Sequence, residues 1–233
     1  MSGRFRDLVL LASLAAGLAA CGAGVPLRLR VDEFTTAIDL DKTTAELEAT
    51  LQGQGLLPAG SAGLPEIWPD SMPAIRYTVS LQSPPQVINL TPDDPAQKKK
   101  YAQVMQYAQA INRIEVNRVA LRVEANSLNV DLPALRLEGA SDMDASPYDR
   151  KAWQTVGNIP SGAAREAADL PMTFVPGGAT FLDSALSSAA KRFALRTNGA
   201  LVFDTDVNPQ KPHGKATLRV IMEATFFVAV DKL

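Results

Sequence analysis

The chain is poor in the residues that most catalysis uses. Among 233 residues there is one Cys, Cys21, and one His, His213, and aromatic residues make up 6%. A single Cys has no partner for a disulfide within the chain. A zinc site needs several His or Cys ligands, which the composition does not supply. His213 lies in Lys211-Pro212-His213-Gly214, which reads as a surface turn, whereas a Ser-His-Asp triad needs a His held beside its Ser. No Gly-x-Ser-x-Gly occurs, and Gly177-Gly178 merely precedes a helix instead of opening a phosphate-cradling loop. Neither sign of charge dominates, with 23 Lys and Arg against 25 Asp and Glu, so no basic excess points to nucleic acid. Long apolar runs are absent too. The longest, Leu8 to Ala20, is thirteen residues, and a helix needs roughly twenty to cross a hydrocarbon core of about 30 Å.

That short run has its own meaning. Arg4 and Arg6 precede it and Leu18-Ala19-Ala20 closes it with small residues, which is the pattern of a removed export signal, residues 1–20. Cys21 follows directly. Leu18-Ala19-Ala20-Cys21 resembles the lipobox of bacterial lipoprotein precursors, in which the signal is cut before the Cys and the thiol takes a diacylglyceryl group. The resemblance implies that Cys21 is the lipid attachment residue and that residues 21–26 are a lipidated tether. Gly22, which is not the Asp of inner-membrane retention, implies the outer membrane. The periplasmic face is expected, with surface exposure left open. An ordinary signal-peptidase cut that leaves Cys21 as a plain residue is the rival reading. A lone thiol in an oxidising compartment is a liability that acylation removes, and two or three acyl chains anchor stably where one holds marginally.

With 46% hydrophobic residues the chain has enough apolar material for a core. Leu27, Leu29 and Val31 alternate with Arg28 and Arg30, then Phe34, Thr36, Ile38 and Leu40 continue one residue out of phase, which predicts a strand with a bulge or corner near Asp32-Glu33. Glu46 to Leu57 fits helix or strand. Pro58 to Pro73 reads as a loop pinned by Ile67 and Trp68, and Ile75, Tyr77, Val79 and Leu81 as a strand. A helix is predicted from Pro95 through Tyr101, Val104, Met105, Ala108 and Ile111. Its Lys98-Lys99-Lys100 could meet anionic headgroups or form a solvated face. From Ile114 the pattern is β: Ile114 and Val116, then Val119, Leu121 and Val123 in opposite phase, a turn at Asn126 to Asn129, and Val130 to Leu137, with Pro133 restricting that strand to an edge or bulge. Residues 141–171 read as a polar loop with Trp153 and Val156 turned inward, followed by a strand around Met172 to Val175. Thr180-x-x-Asp183 resembles a capping box, and Leu182, Leu186, Ala189 and Phe193 predict a helix ended by a left-handed cap at Asn198-Gly199. Ala200 to Asp204 reads as a strand. Ala216 to Val230 is the clearest one. Ile221, Phe227 and Ala229 make its second face apolar as well, so it should be central, with the Thr180 helix over it.

Many strands without strand–helix alternation predict a mainly β fold: an immunoglobulin-like antiparallel β-sandwich with one or two covering helices, residues 27–233 forming one domain. Residues 114–230 resemble the water-stress and hypersensitive-response domain of the late-embryogenesis-abundant superfamily. The likeness rests on the strand Val119 to Ala125 running into Asn126-Ser127-Leu128-Asn129, then on Val130 to Leu137, Ile159-Pro160-Ser161-Gly162, Leu170 to Val175, and Asn198-Gly199-Ala200-Leu201-Val202. The Pro that the family commonly has in its Asn-Pro-Asn turn is missing. The resemblance implies a non-catalytic protein, tied in some relatives to stress protection.

Two acidic groups are candidate cation sites. Asp204-x-Asp206-x-Asn208 opens like a calcium loop, but Pro209 stands where that loop needs Gly and Lys215 where it needs a bidentate Glu. Asp142, Asp144 and Asp149 form a similar acidic loop that also reads as a solvated turn. The functional expectation is a non-catalytic lipid-anchored envelope protein, structural, protein-binding or stress-protective. It needs no cofactor, reaches the membrane through acyl chains on Cys21, and meets an unidentified envelope protein or lipid. The alternative is a carrier of lipid or another hydrophobe in a cavity between the sheets, although core packing explains the apolar faces as well.

Overall fold

The computed structural model describes residues 25–57, 63–90, 95–100, 102, 106, 110–141, 145–146, 148–162, 168–188 and 192–229. Cys21, the leader, Asp142, Asp144, and Tyr101, Val104, Met105 and Ala108 of the predicted helix lie outside them.

Two antiparallel sheets pack face to face. The first has the order β1-β10-β4-β7, from β1 (Val25–Asp39), β10 (Lys215–Val228), β4 (Ile111–Asn126) and β7 (Asp169–Pro171). The second has the order β2-β9-β5-β6-β8, from β2 (Arg76–Gln82), β9 (Arg192–Asp204), β5 (Leu135–Ala140), β6 (Gln154–Ile159) and β8 (Thr173–Phe174). β3 (Gln86–Asn89) prolongs the β2 edge along the start of β9. Three helices are described: α1 (Leu40–Gly53), α2 (Pro95–Lys100) and α3 (Gly178–Ser187). Each sheet thus takes an edge from the first 90 residues.

β10 is the central strand, as its alternation predicts. Ala216, Leu218, Val220, Met222, Ala224, Phe226 and Val228 all face the sandwich interior and are buried. They meet Leu121, Val123, Leu135, Leu137, Phe193 and Leu195 in one continuous core. The phase slips read from the sequence are β-bulges. The β1–β10 register shifts between Asp32 and Phe34. In β4 the extra residue is Asn117, because Glu223 pairs with Arg118 and Ala224 with Val116. A bulge inserts one residue and so flips the side-chain phase.

α1 resolves the ambiguous segment as helix. Asp39 caps it by accepting from the Lys42 N–H at 3.0 Å. Leu40, Thr44, Leu47 and Leu51 form its buried stripe, so Leu40 begins the helix instead of ending the strand. Leu47 and Leu51 join Leu64, Trp68 and Phe203 in a second cluster that fastens the following loop. Trp68 pins that loop as expected, whereas Ile67 is 64% exposed and holds on only through a backbone bridge to Gln210.

Several expectations are overturned. The helix predicted through Phe193 to Asn198 stops at Ser187, and Arg192–Asp204 is β9. Phe193, Ala194 and Leu195 are consecutive and all buried, because both faces of β9 are covered there, and that erases the two-residue period. Gly199 takes no left-handed conformation; it pairs with Leu135 and Leu81 inside the sheet. Thr180-x-x-Asp183 is not a capping box. The helix starts earlier, after Gly177 in the left-handed region at φ 83°, and Asp183 accepts instead from the Val116 N–H of β4 at 2.7 Å. α3 does not lie over the outer face of β10. It packs on β4, β6 and β9 and closes one end of the sandwich with Leu182 and Leu186. β6 and β7 lie inside the stretch read as loop. A bulge opposite Leu137 and Glu138 puts Val156 and Ile159, three apart, on one face, so no alternation is visible. Finally, Val130 and Leu132 precede the strand proper, which begins at Leu135, and Ile111 belongs to β4 and not to a helix.

The outer face of the first sheet is a charged surface. Arg118 bridges Glu223 and Asp169, Arg122 holds the same Asp169, and Arg219 pairs with Glu124.

Candidate functional site

The outer face of the second sheet is built differently. Strict alternation on β5 turns Leu135 and Leu137 into the core and Arg136 and Glu138 outward. On β9 the inward residues are Phe193, Leu195 and Thr197, which leaves Ala194, Arg196, Asn198 and Ala200 outward. β2 contributes Ser80 and Gln82, and β6 contributes Asn158. These residues floor a groove of about 940 Å³. Its end wall is formed by Ala145, Tyr148, Arg150 and Trp153, which lie over the sheet. There Trp153 and Ala145 bury Ala140 and Ala194, and the Trp153 indole N–H donates to the Ser146 carbonyl at 3.0 Å. Tyr148, 88% exposed, and Arg150 stand at the rim.

Register sets the floor. Gln82 pairs with Asn198, Asn198 with Arg136, and Arg136 with Asn158. Four polar side chains therefore stand in one row across four strands, about 4.8 Å apart. The next row holds Arg196 beside Glu138. Glu138 and Arg196 are buried although they are on the outward face. Glu138 Oε2 accepts from Arg196 Nε and Nη2, each at 2.7 Å, and Oε1 accepts from Asn198 Nδ2 at 3.1 Å. The Arg196 guanidinium carbon lies 4.1 Å from the Trp153 ring centroid, so the indole face shields the pair from water. Because a carboxylate accepts only from the amide NH₂, this bond fixes the Asn198 rotamer and turns its carbonyl oxygen away from Glu138. Arg136 and Arg150 have no carboxylate partner among the described residues. The groove lining carries three guanidiniums and a single carboxylate, and is electropositive.

The residues singled out from the sequence lie elsewhere. Asp204 ends β9; its Oδ1 accepts from the Asp206 N–H at 3.1 Å and its Oδ2 faces Arg76 at 3.5 Å. Asn208 Oδ1 accepts from the Gln210 N–H at 3.0 Å. These are turn-forming bonds that occupy the oxygens a cation would need, and no cluster of three or more His, Cys, Asp or Glu able to hold a metal occurs among the described residues. Asp149 likewise closes a turn, at Lys151. His213 is exposed, and its backbone N–H donates to Asn129. Lys98 and Lys99 are exposed on α2. The carboxyl held above its ordinary range is outside the groove: burial pushes Asp183 up, partly countered by the Val116 N–H, and Glu115 adds to the rise. Asp169 moves the other way. Burial raises it, but the hydrogen bonds from Arg118 and Arg122 outweigh that and hold it below the usual range.

Arg136, Glu138, Arg196 and Asn198 were not signalled by any motif. The available signal was the alternation itself: charged residues on the second face of strands with neighbours on both sides must be either solvated or covered. The chain matches no protein-family model and no curated protein.

Proposed function

We propose that this chain is a non-catalytic, lipid-anchored protein of the bacterial outer envelope that binds a partner in the groove of its second sheet. The groove carries the reading. It is a large concavity on a paired sheet, with a buried ion pair beneath it and, lining it, two guanidiniums that have no carboxylate partner among the described residues. Its single carboxylate has both oxygens engaged, so it serves as a strut and not as an acid or base. The anchor follows from Leu18-Ala19-Ala20-Cys21. Only Gly22, Ala23 and Gly24 separate Cys21 from β1, a reach of roughly 14 Å at most, which would hold the sandwich against the bilayer.

The carrier alternative draws on a smaller opening of about 320 Å³ between the β1 and β2 edges. Thr36, Ser83 and Thr197 line it, and their polar groups bond to one another. An apolar guest would meet polar walls there, with a packed core behind them.

Two experiments test the proposal. Cys21→Ser should release most of the protein from the membrane fraction; retention through a salt wash would refute the anchor. A photo-crosslinking residue at Ala200, in the groove, should capture an envelope component in living cells that the same residue at Thr35, on the first sheet's exposed face, does not. Equal labelling from both positions would refute the groove.

A further inference from the structure

We propose that the groove binds a carboxylate-bearing oligosaccharide; this rests on the groove being the binding surface.

β9 and β5, the middle of the floor, are paired on both sides, and β6 is met by β8 at Gly157 and Asn158, so the backbone donors and acceptors in the middle of the floor are consumed by the ladder. An extended peptide recognised by strand addition has nothing to pair with on such a face. Only side chains remain, and they are amides, guanidiniums and a hydroxyl. An amide presents a donor pair and an acceptor, which suits a sugar hydroxyl that both donates and accepts. Asn198 is held for that role: the buried Glu138 carboxylate takes its NH₂ and leaves Oδ1 without a donor among the described residues. Asn158, in the same row, has no partner among them either. Ligand hydroxyls would therefore meet preset polar groups, which lowers the ordering cost of binding.

Arg136 sits between Asn198 and Asn158, is exposed, and has no ion pair among the described residues. A guanidinium fork in a row of amides is matched by a planar carboxylate, which it takes with two parallel bonds. Arg150 on the wall adds a second cation. A neutral glycan would leave both unsatisfied.

The row runs across the strands with one polar group per strand, and Tyr148 stands exposed at the rim. A linear polymer with polar groups at regular intervals and an apolar ring face matches that sequence of contacts.

Calorimetry on the full-length acylated protein, extracted from membranes in detergent, tests the inference. The probes are an oligogalacturonate, an alginate oligomer, the methyl ester of the first, and a polyglutamate of equal charge. Binding of a free uronate, at least tenfold weaker binding of the ester, and about tenfold weaker binding by Arg136→Gln are expected. Arg136 is exposed and has no ion pair among the described residues, so this variant should fold normally. Polyglutamate binding as tightly as the uronates, an unchanged affinity in Arg136→Gln, or no binding of either uronate would overturn it. If crosslinking from Ala200 persists while both uronates fail, the ligand class falls and the groove stands; if crosslinking from Ala200 also fails, both fall.

Discussion

Glu138→Ala is the sharpest probe of how the groove is built. The Glu138 and Arg196 side chains are 10% and 4% exposed, and they meet at 2.7 Å. At an effective dielectric near 20, a pair with charge centres about 4 Å apart attracts by about 4 kcal/mol. Desolvation takes back several kcal/mol per ion, so the net worth of the intact pair is small. Removing one partner is a different matter. Arg196 would stay buried under Trp153 with its main counter-charge gone, and Asn198 would lose the acceptor for its NH₂. A penalty of about 3–5 kcal/mol follows, and the open side of the groove places it near 3. In urea, with a slope of about 2–3 kcal/mol/M, that moves the midpoint down by about 1 M. Far-UV circular dichroism should follow the transition, because Trp153 fluorescence would also report the local change. The double variant Glu138→Met with Arg196→Met should lose far less than the single, since it leaves no buried charge. A single-variant loss below about 1 kcal/mol, or a double variant as unstable as the sum of the singles, would refute a desolvated pair beneath the groove.

Two further substitutions test the sandwich. Phe226→Ala removes a fully buried ring from the central strand and should cost about 3–5 kcal/mol in the same assay; under about 1 kcal/mol would mean that face is not core. Gly199→Ala should cost about 1–3 kcal/mol, because a Cβ there would lie 2.5 Å from Leu135 Cδ2 and 2.9 Å from the Ala134 carbonyl oxygen, and that backbone oxygen has little freedom to move; a neutral result would mean β5 and β9 are less closely apposed.

What could be read from the sequence tracks how one-sided each strand is. β1 and β10 bury one face and show polar residues on the other along much of their length, so alternation revealed both, and the phase slip at Asp32 gave the bulge. β9 is covered on one face by the core and on the other by the Trp153 segment, so Phe193-Ala194-Leu195 carried no period. Asn198-Gly199 then supplied a false stop signal, because Gly is chosen there for its missing side chain against Leu135 and not for its conformational freedom. The groove was unreadable for a further reason. Its residues come from four strands whose order, β2-β9-β5-β6, departs from chain order, so no local spacing brings Gln82, Asn198, Arg136 and Asn158 together. Only the register does. By contrast, Asp204-x-Asp206-x-Asn208 is a local pattern, and local patterns of Asp and Asn most simply make turns, as these do.

The joint between the two sheets gives a prediction with a definite pH dependence. β7 covers β4 only at Ala120 to Arg122. Beyond it the bulge at Asn117 interrupts the ladder, and Asp183 of α3 supplies the acceptor for the Val116 N–H. Burial and the nearby Glu115 charge raise the Asp183 carboxyl above its unfolded value. A raised carboxyl binds its proton more tightly when folded. Its contribution to stability is therefore fully present below the unfolded pKa and is lost as pH rises through the folded one. At neutral pH the carboxylate is thus a strained choice at this position, kept for its oxygen. Asp183→Asn keeps the carbonyl acceptor, removes the desolvated charge, and places an NH₂ where repulsion from Glu115 was. The Asn protein should be at least as stable as the native one at pH 7, with the difference shrinking as both are acidified toward pH 4. Asp183→Ala should instead cost about 1 kcal/mol at pH 4, because it leaves the Val116 N–H without a partner, and less at pH 7, where it also removes the desolvated charge. Urea titrations of the three proteins at several pH values decide the matter. An Asn variant less stable than native at pH 7, with the deficit vanishing on acidification, would mean that the charge itself holds α3 to β4. If the Asn variant is instead the more stable at pH 7 and its advantage shrinks on acidification, Asp183→Asn becomes a background in which the groove variants can be compared without loss of the fold.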